Sequence, residues 1–228
     1  MINAMILFPI LLSTLSLGNI PEPVSVYPPV DPDPSYTEVI LNRAQKIVDT
    51  LGIEDPLKAR QVQDLIADQY RSLSTLHDTR DAQIKAVQSQ AGDNPDSTNL
   101  ATQALKDMTQ SLQDQLHTQY LLKLNALLTP AQVDQVKDGM TYGIIQVTYN
   151  SYLDMLPQLT EQQKGTLMAY LEEAREIAMD AGSSKEKHGW FGKYKGRINN
   201  YLSAQGYDLK RASEERNARN QKVKAKTN

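Results

Sequence analysis

The sequence predicts an all-α fold, a helical bundle built on a long antiparallel helical hairpin with shorter C-terminal helices, and three observations carry that expectation. Apolar residues recur at three- and four-residue spacing over most of the chain, the periodicity of one face of a helix. Strand formers and alternating apolar/polar runs are sparse, whereas Ala, Leu, Gln, Asp, Glu and Lys abound. Ser or Thr stands three residues ahead of Glu or Gln where several of these stripes begin, a pattern that satisfies the first free amides of a helix.

The 228 residues contain no cysteine, which excludes disulfides, thiolate chemistry, sulfur-bound metals and a lipid-anchored cysteine. Residues 4–17 form an apolar run too short to span a bilayer, followed by Ser16-Leu17-Gly18, and residues 1–20 read as a cleaved signal peptide although no Lys or Arg precedes the run. Residues 21–34 carry six of the eleven prolines and read as an extended linker. An all-α domain over residues 35–215 and a basic disordered tail over 216–228 complete the expected organisation.

Ser35-Tyr36-Thr37-Glu38 predicts a capping box opening a first helix that runs to about Leu51 and stops at Gly52. Asp55-Pro56 predicts the start of a second, whose stripe of Val62, Leu65, Ile66, Tyr70, Leu73, Leu76, Ile84 and Val87 extends it to about Ala91. The segment 92–97 is a break, with Gly92 as C-cap, before a third stripe through Ala101, Leu105, Met108, Leu112, Leu116, Tyr120, Leu124 and Leu127. Two long helices joined by a short turn make a hairpin whose narrow stripes need covering by further helices or by a second copy of the chain. Leu128-Thr129-Pro130-Ala131-Gln132 and Leu159-Thr160-Glu161-Gln162-Gln163 are two more capping boxes, the first with Leu128 placed to staple onto Val133. Residues 142–156 mix strand-favouring Ile144, Ile145 and Val147 with helically spaced Tyr149, Tyr152 and Leu156, and are assigned to helix. Helices over 160–181, about 184–205 and from about 207 onward, with stops at Gly182 and Gly206, finish the pattern.

Charge is uneven. Residues 185–226 hold twelve of the 24 basic residues against four acidic ones, a net of +8 that leaves −11 elsewhere. The last basic stretch lacks an apolar face and interleaved aromatics, so neither nucleic acid nor a membrane surface is the expected partner.

The candidate functional residues fall in two places. His77 lies one residue from Asp78 and four from Asp81, a spacing at which imidazole and carboxylate can share a metal or a proton or serve as a surface pair, although three histidines in all are too few for a His-rich metal centre. The segment 188–201 holds His188, Trp190, Tyr194, Lys195, Arg197, Asn199 and Asn200, whose donors suit sugar hydroxyls or anionic oxygens. Trp190 and Phe191 read as core anchors, and Gly189, Gly192 and Gly196 call for a reason such as close packing or backbone access to a ligand. Glu172, Glu176 and Asp180 share a helix face at four-residue spacing and read as a solvated acidic face. Nucleophile elbow, phosphate loop, zinc motif and dinucleotide fingerprint are all missing, so no catalytic residue, cofactor or metal is expected.

Several segments together carry a resemblance: Ile66-Ala67-Asp68-Gln69-Tyr70-Arg71, His77-Asp78, Asp138-Gly139-Met140-Thr141-Tyr142-Gly143, Asp180-Ala181-Gly182-Ser183-Ser184, and the run from Trp190 to Leu202. Over residues 36–215 the chain resembles a family of exported bacterial proteins catalogued as a domain of unknown function and met mostly in polysaccharide-degrading Bacteroidetes. The resemblance implies a periplasmic or secreted location and, by company kept, a role in glycan use. The paired Leu-Thr-x-x-Gln motifs are also similar to those of small periplasmic chaperones of the Spy and CpxP type, from which the acidic first two thirds of this chain depart. The leading expectation is therefore a helical binding or accessory module for glycan fragments or glycan-degrading envelope partners. The alternatives are an ATP-independent chaperone and an enzyme using a His/Asp/Lys/Arg pocket. No transmembrane segment is expected in the mature chain, and a homodimer would be one way to cover the hairpin.

Overall fold

Proline opens four of the helices in this fold, at positions where its missing amide costs nothing because the first turn has no acceptor for it. The computed structural model describes residues 34–90 and 95–227. Among these, α1 spans Pro34–Val48, α2 Pro56–Gln90, α3 Pro95–Leu127, α4 Pro130–Met140, α5 Ile144–Met155, α6 Glu161–Ala178, α7 Ser184–Ala204 and α8 Leu209–Thr227. The described residues contain no strand, and none of their helices is long and apolar enough to cross a membrane. The chain is thus an all-α bundle. The expected signal peptide, the linker apart from Pro34, and the Gly92 turn lie outside the described residues.

Local signals act largely as the residues predict. Asp55 Oδ1 accepts from the amides of Leu57 and Lys58 to cap α2. Thr129 and Thr160 form reciprocal capping boxes with Gln132 and Gln163, and Gln132 also donates to Leu51 O, tying α4 to the end of the α1 segment. Gly52 and Gly206 take the left-handed conformation expected at helix stops. Residues 144–155 are helical, so the strand-favouring side chains there yield to tertiary packing: Ile145 is buried while Val147 faces solvent.

Several boundaries differ from the expectation, among them the end of α6, which falls at Ala178 rather than at residue 181, so Gly182 is not its stop. Ser35 lies inside α1, which already begins at Pro34, and α1 ends at Val48 with two turns filling the gap to Gly52. The third helix starts at Pro95, inside the expected break. Helix α8 continues to Thr227, through the segment whose composition predicted a disordered tail from Arg216. Arg216 and Arg219 donate to the carbonyls of Ser151 and Asp154 near the C-terminus of α5, and the Asp154 carbonyl, in the last turn, has no intrahelical donor.

Two apolar cores result. The first joins α1 to α4 around Ile66, Leu124, Val136 and Met140, closed by Met179. Here α4 comes so close to α1 that a β-carbon on Gly139 would stand 2.6 Å from Ile47 Cγ1. The second joins α5 to α8 around Leu167, Leu171, Phe191, Ile198 and Leu202. Fully burying each such side chain stabilises the fold by roughly 1.5–3 kcal/mol. The α2/α3 hairpin, about 50 Å long at ~1.5 Å per residue, outreaches the first core. No described residue of α2 beyond His77, or of α3 before Thr109, is buried.

Candidate functional site

The two cores meet along a seam of charged and polar side chains. Asp180, in the turn after α6, is buried, and its carboxylate lies 2.6 Å from Nδ1 of His117 on α3 and 3.5 Å from the Gln69 amide on α2. The Asp180 carbonyl accepts from Nε2 of buried His77 at 2.8 Å, and Arg80 donates to the other ring nitrogen at 3.0 Å, which fixes the tautomer. Gly182 lets this turn approach: a β-carbon there would stand 2.7 Å from the His77 ring. Arg175 on α6 binds Asp134 and Asp138 on α4, while Glu176 takes Lys137 at 2.8 Å and lies 3.9 Å from His117 Nε2. Lys187 of α7 is buried and donates to the Ala178 and Met179 carbonyls at the end of α6.

These contacts set the titration of the seam. The Asp180 hydrogen bond, aided by the charges of Asp180 and Glu176, raises the His117 pKa above its ordinary 6.5 against the opposing effect of burial. Burial pulls Lys187 down to about 8, with Asp180 working the other way. Only Arg175 Nε is buried without a partner among the described side chains of the seam. Its geometry fastens two halves together; among the described residues no cluster of His, Asp and Glu is arranged to hold a metal ion.

A second polar region is open. Between α5, α7 and α8 lies a cleft of about 390 Å³ whose polar side is formed by Ser151, Tyr152, Lys195, Asn199 and Arg216 and whose apolar side is formed by Val147, Met155 and Leu209. The Tyr152 hydroxyl donates to Asn199 Oδ1 at 2.7 Å, and burial pushes its pKa up to about 12, so it stays a neutral donor. This bond orients Asn199 and leaves its amide hydrogens free. The Lys195 ammonium makes no hydrogen bond or ion pair among the described residues. Arg216 is anchored by Nη1 on Ser151 Oγ at 2.7 Å, and its Nε lies 3.9 Å from the Asp154 carboxylate, beyond hydrogen-bond reach.

The sequence candidates therefore divide. Lys195 and Asn199 come together in the cleft, joined by Tyr152, Ser151 and Arg216, which the sequence did not single out. His188 is exposed and stacks on Tyr142 with ring centroids 5.8 Å apart. Tyr194 and Arg197 face a different side of α7, where both bind Glu173, and Arg197 lies over the Tyr170 and Tyr194 rings. Trp190 packs half-buried against the second core with Lys193 over its ring, and Asn200 is exposed without a side-chain bond among the described residues. His77 belongs to the seam, and Asp78 beside it is exposed and accepts from Ser74, so this pair does not join the α7 residues. Asp81 pairs with Arg80. The solvated acidic face expected of α6 is one only at Glu172: Glu176 is paired and Asp180 buried, because the turn after Ala178 points that carboxylate back between the cores. Gly189, Gly192 and Gly196 have open space where a β-carbon would stand, so close packing does not explain them.

The family model described as a protein of unknown function (DUF3826) matches residues 37–225. The chain belongs to that family, and the match spans both cores, the seam and the cleft. No curated protein matches the chain.

Proposed function

We propose that this chain is an exported helical binding module for glycan fragments and that the α5/α7/α8 cleft is its binding site. The observation that carries the reading is the unpaired Lys195 ammonium beside the Tyr152-oriented Asn199 amide, both facing a partly apolar cleft. Charged and amide groups that find no protein partner are suited to a ligand's oxygens, and the apolar wall of Val147 and Met155 suits the C–H faces of a sugar ring. Export rests on the apolar run at residues 4–17 followed by a small-residue cleavage pattern. The charges of the seam are already matched by protein groups, which speaks for a scaffold and against a catalytic centre there.

The test is isothermal titration of plant and host glycan fragments into the wild-type chain and into Lys195→Ala and Asn199→Ala. The reading predicts a saturable heat for at least one fragment that both substitutions diminish. Silence across the set, or binding indifferent to both substitutions, would refute it.

Exposed Leu100 and Met108 on the projecting hairpin favour a second reading, a chaperone that holds unfolded clients. That reading predicts slower aggregation of an unrelated client, weakened by Leu100→Ser and Met108→Ser and untouched by Lys195→Ala.

A further inference from the structure

The face of α7 that lines the cleft extends beyond it toward the start of the helix. His188, Gly192, Lys195 and Asn199 recur at steps of four, three and four residues, so they form one stripe of that helix, and all four are exposed. Two side-chain links tie this stripe to the chain around α5: the stacked Tyr142/His188 pair at one end and the Tyr152/Asn199 hydrogen bond at the other. His188 and Asn199 are eleven steps apart on the helix, about 16 Å at ~1.5 Å per residue. That span suits a short linear oligomer better than a single ring.

The far end of this stripe is built at a conformational cost. Tyr142 has φ 61°, left-handed backbone that a bulky side chain seldom adopts, and Gly143 beside it has φ 64°. The turn is held in that state by local bonds: the Gly143 amide donates to Asp138 O at 2.8 Å, and Thr141 Oγ1 donates to Lys137 O at 2.9 Å. The result is a tyrosine ring 47% exposed and stacked on an exposed histidine. These two bonds, with Tyr142 N–H donating to Gly139 O, make the turn the C-terminal cap of α4, so what calls for a use is the choice of an exposed aromatic residue at the cap position where glycine is usual. Midway along the stripe, Gly192 keeps α7 smooth where a side chain would stand in open space, consistent with a ligand lying against the helix. At the near end Lys195 and Arg216 both line the cleft, Arg216 held on Ser151 and 3.9 Å from the Asp154 carboxylate, in the part of the chain whose net charge is +8.

We infer that the stripe is an extended subsite for a linear acidic oligosaccharide, with one sugar ring against the Tyr142/His188 pair, the chain passing over Gly192, and a carboxylate held by Lys195 with Arg216. The inference rests on the glycan-binding reading and adds to it a length requirement and a charge requirement.

The test titrates the full chain with oligogalacturonides of increasing length, with cello-oligosaccharides of matching length as neutral controls, and with acetate as a free carboxylate. Three variants accompany the wild type. Tyr142→Gly removes the ring while accepting the left-handed backbone, so it should fold with a melting temperature near that of wild type. Gly192→Leu sets its β-carbon in open space on the exposed face of α7, and Lys195→Met keeps the length of the side chain while removing its charge. The expected result is affinity that rises at least ten-fold from the monosaccharide to the longer galacturonides. Tyr142→Gly and Gly192→Leu should each abolish that rise, and Lys195→Met should abolish the preference over the neutral series.

Equal affinity for acidic and neutral oligomers would overturn the charge requirement and leave the glycan reading intact. Affinity already complete with the monosaccharide, or unchanged by Tyr142→Gly, would overturn the extended subsite with the same effect. Binding of acetate alone would overturn both the inference and the glycan reading. Failure of every oligosaccharide to bind would do so as well.

Discussion

The seam around Asp180 and the cleft around Tyr152 are built from similar residue types and have opposite fates. In the seam, His117, Lys137, Arg175 and Glu176 are answered by protein groups at hydrogen-bond or ion-pair distance. In the cleft, Lys195 and the Asn199 amide are left over after Tyr152 has oriented the latter. The difference separates a charge that holds the fold from a charge that awaits a ligand. A buried carboxylate left without its partners, or a buried partner left without its carboxylate, costs several kcal/mol, whereas an exposed ammonium is solvated by water and costs nothing to remove.

Asp180→Ala should produce the largest stability loss that this contrast predicts. It leaves His117 and Gln69 unanswered at the junction of the cores, and removal of one member of a buried pair costs about 3–5 kcal/mol. At roughly 2–4 °C per kcal/mol for a domain of this size, thermal unfolding should show a drop on the order of 10 °C. A loss no larger than that of a surface substitution would break the comparison on the seam side.

Gly182→Ala comes next. Its new methyl group would meet the His77 ring at 2.7 Å, and the turn carrying Asp180 must shift to admit it, at about 1–3 kcal/mol. Urea unfolding measures this, and His77→Ala in the same chain should return part of the loss by clearing the space. Thr129→Ala, which removes the capping box of α4, should cost about 1 kcal/mol in the same assay.

The pH dependence of the seam is smaller and has a defined sign. His117 has a folded-state pKa above its ordinary 6.5, so its contribution is fully present below 6.5 and is lost as pH rises through the folded value. Lys187, pulled down to about 8 by burial, acts in the opposite sense as pH climbs beyond that point toward 10.5. Stability should therefore decline between pH 6.5 and about 8 in the wild type, and His117→Gln should remove that decline. An identical slope in both chains would show that the Asp180/His117 pair contributes nothing to the linkage.

How much of this was legible in the sequence follows from whether each signal is local. The capping boxes at Thr129 and Thr160, the stops at Gly52 and Gly206, and the half of the hairpin stripe from Val62 to Leu76 and from Tyr120 to Leu124 depend on residues within a few positions of one another and appear where those residues predict, whereas Met108 of the same stripe is exposed because no helix covers the projecting end. Lys195 and Asn199 were identifiable by their donors, but so were Arg197 and Asn200, and only the packing of α5 and α8 against α7 separates the first pair from the second. The seam was not. Glu172, Glu176 and Asp180 look equivalent at four-residue spacing, and only the end of α6 at Ala178 turns Asp180 inward while Glu172 stays in water. His117, 63 residues from Asp180, gives no local sign of its partner. Likewise α8 has no apolar stripe to announce it: Arg216 and Arg219 secure it by meeting backbone carbonyls of α5, an arrangement that composition reads as a solvated tail.

The most direct test of the division between seam and cleft measures stability and binding on the same two variants, Asp180→Asn and Lys195→Ala, by thermal unfolding and by titration with a galacturonide oligomer well below the melting point. The account predicts that Lys195→Ala unfolds with the wild type and loses the ligand, while Asp180→Asn unfolds earlier and still binds. A Lys195→Ala chain that binds as the wild type does, or an Asp180→Asn chain that is fully stable yet no longer binds, would contradict it.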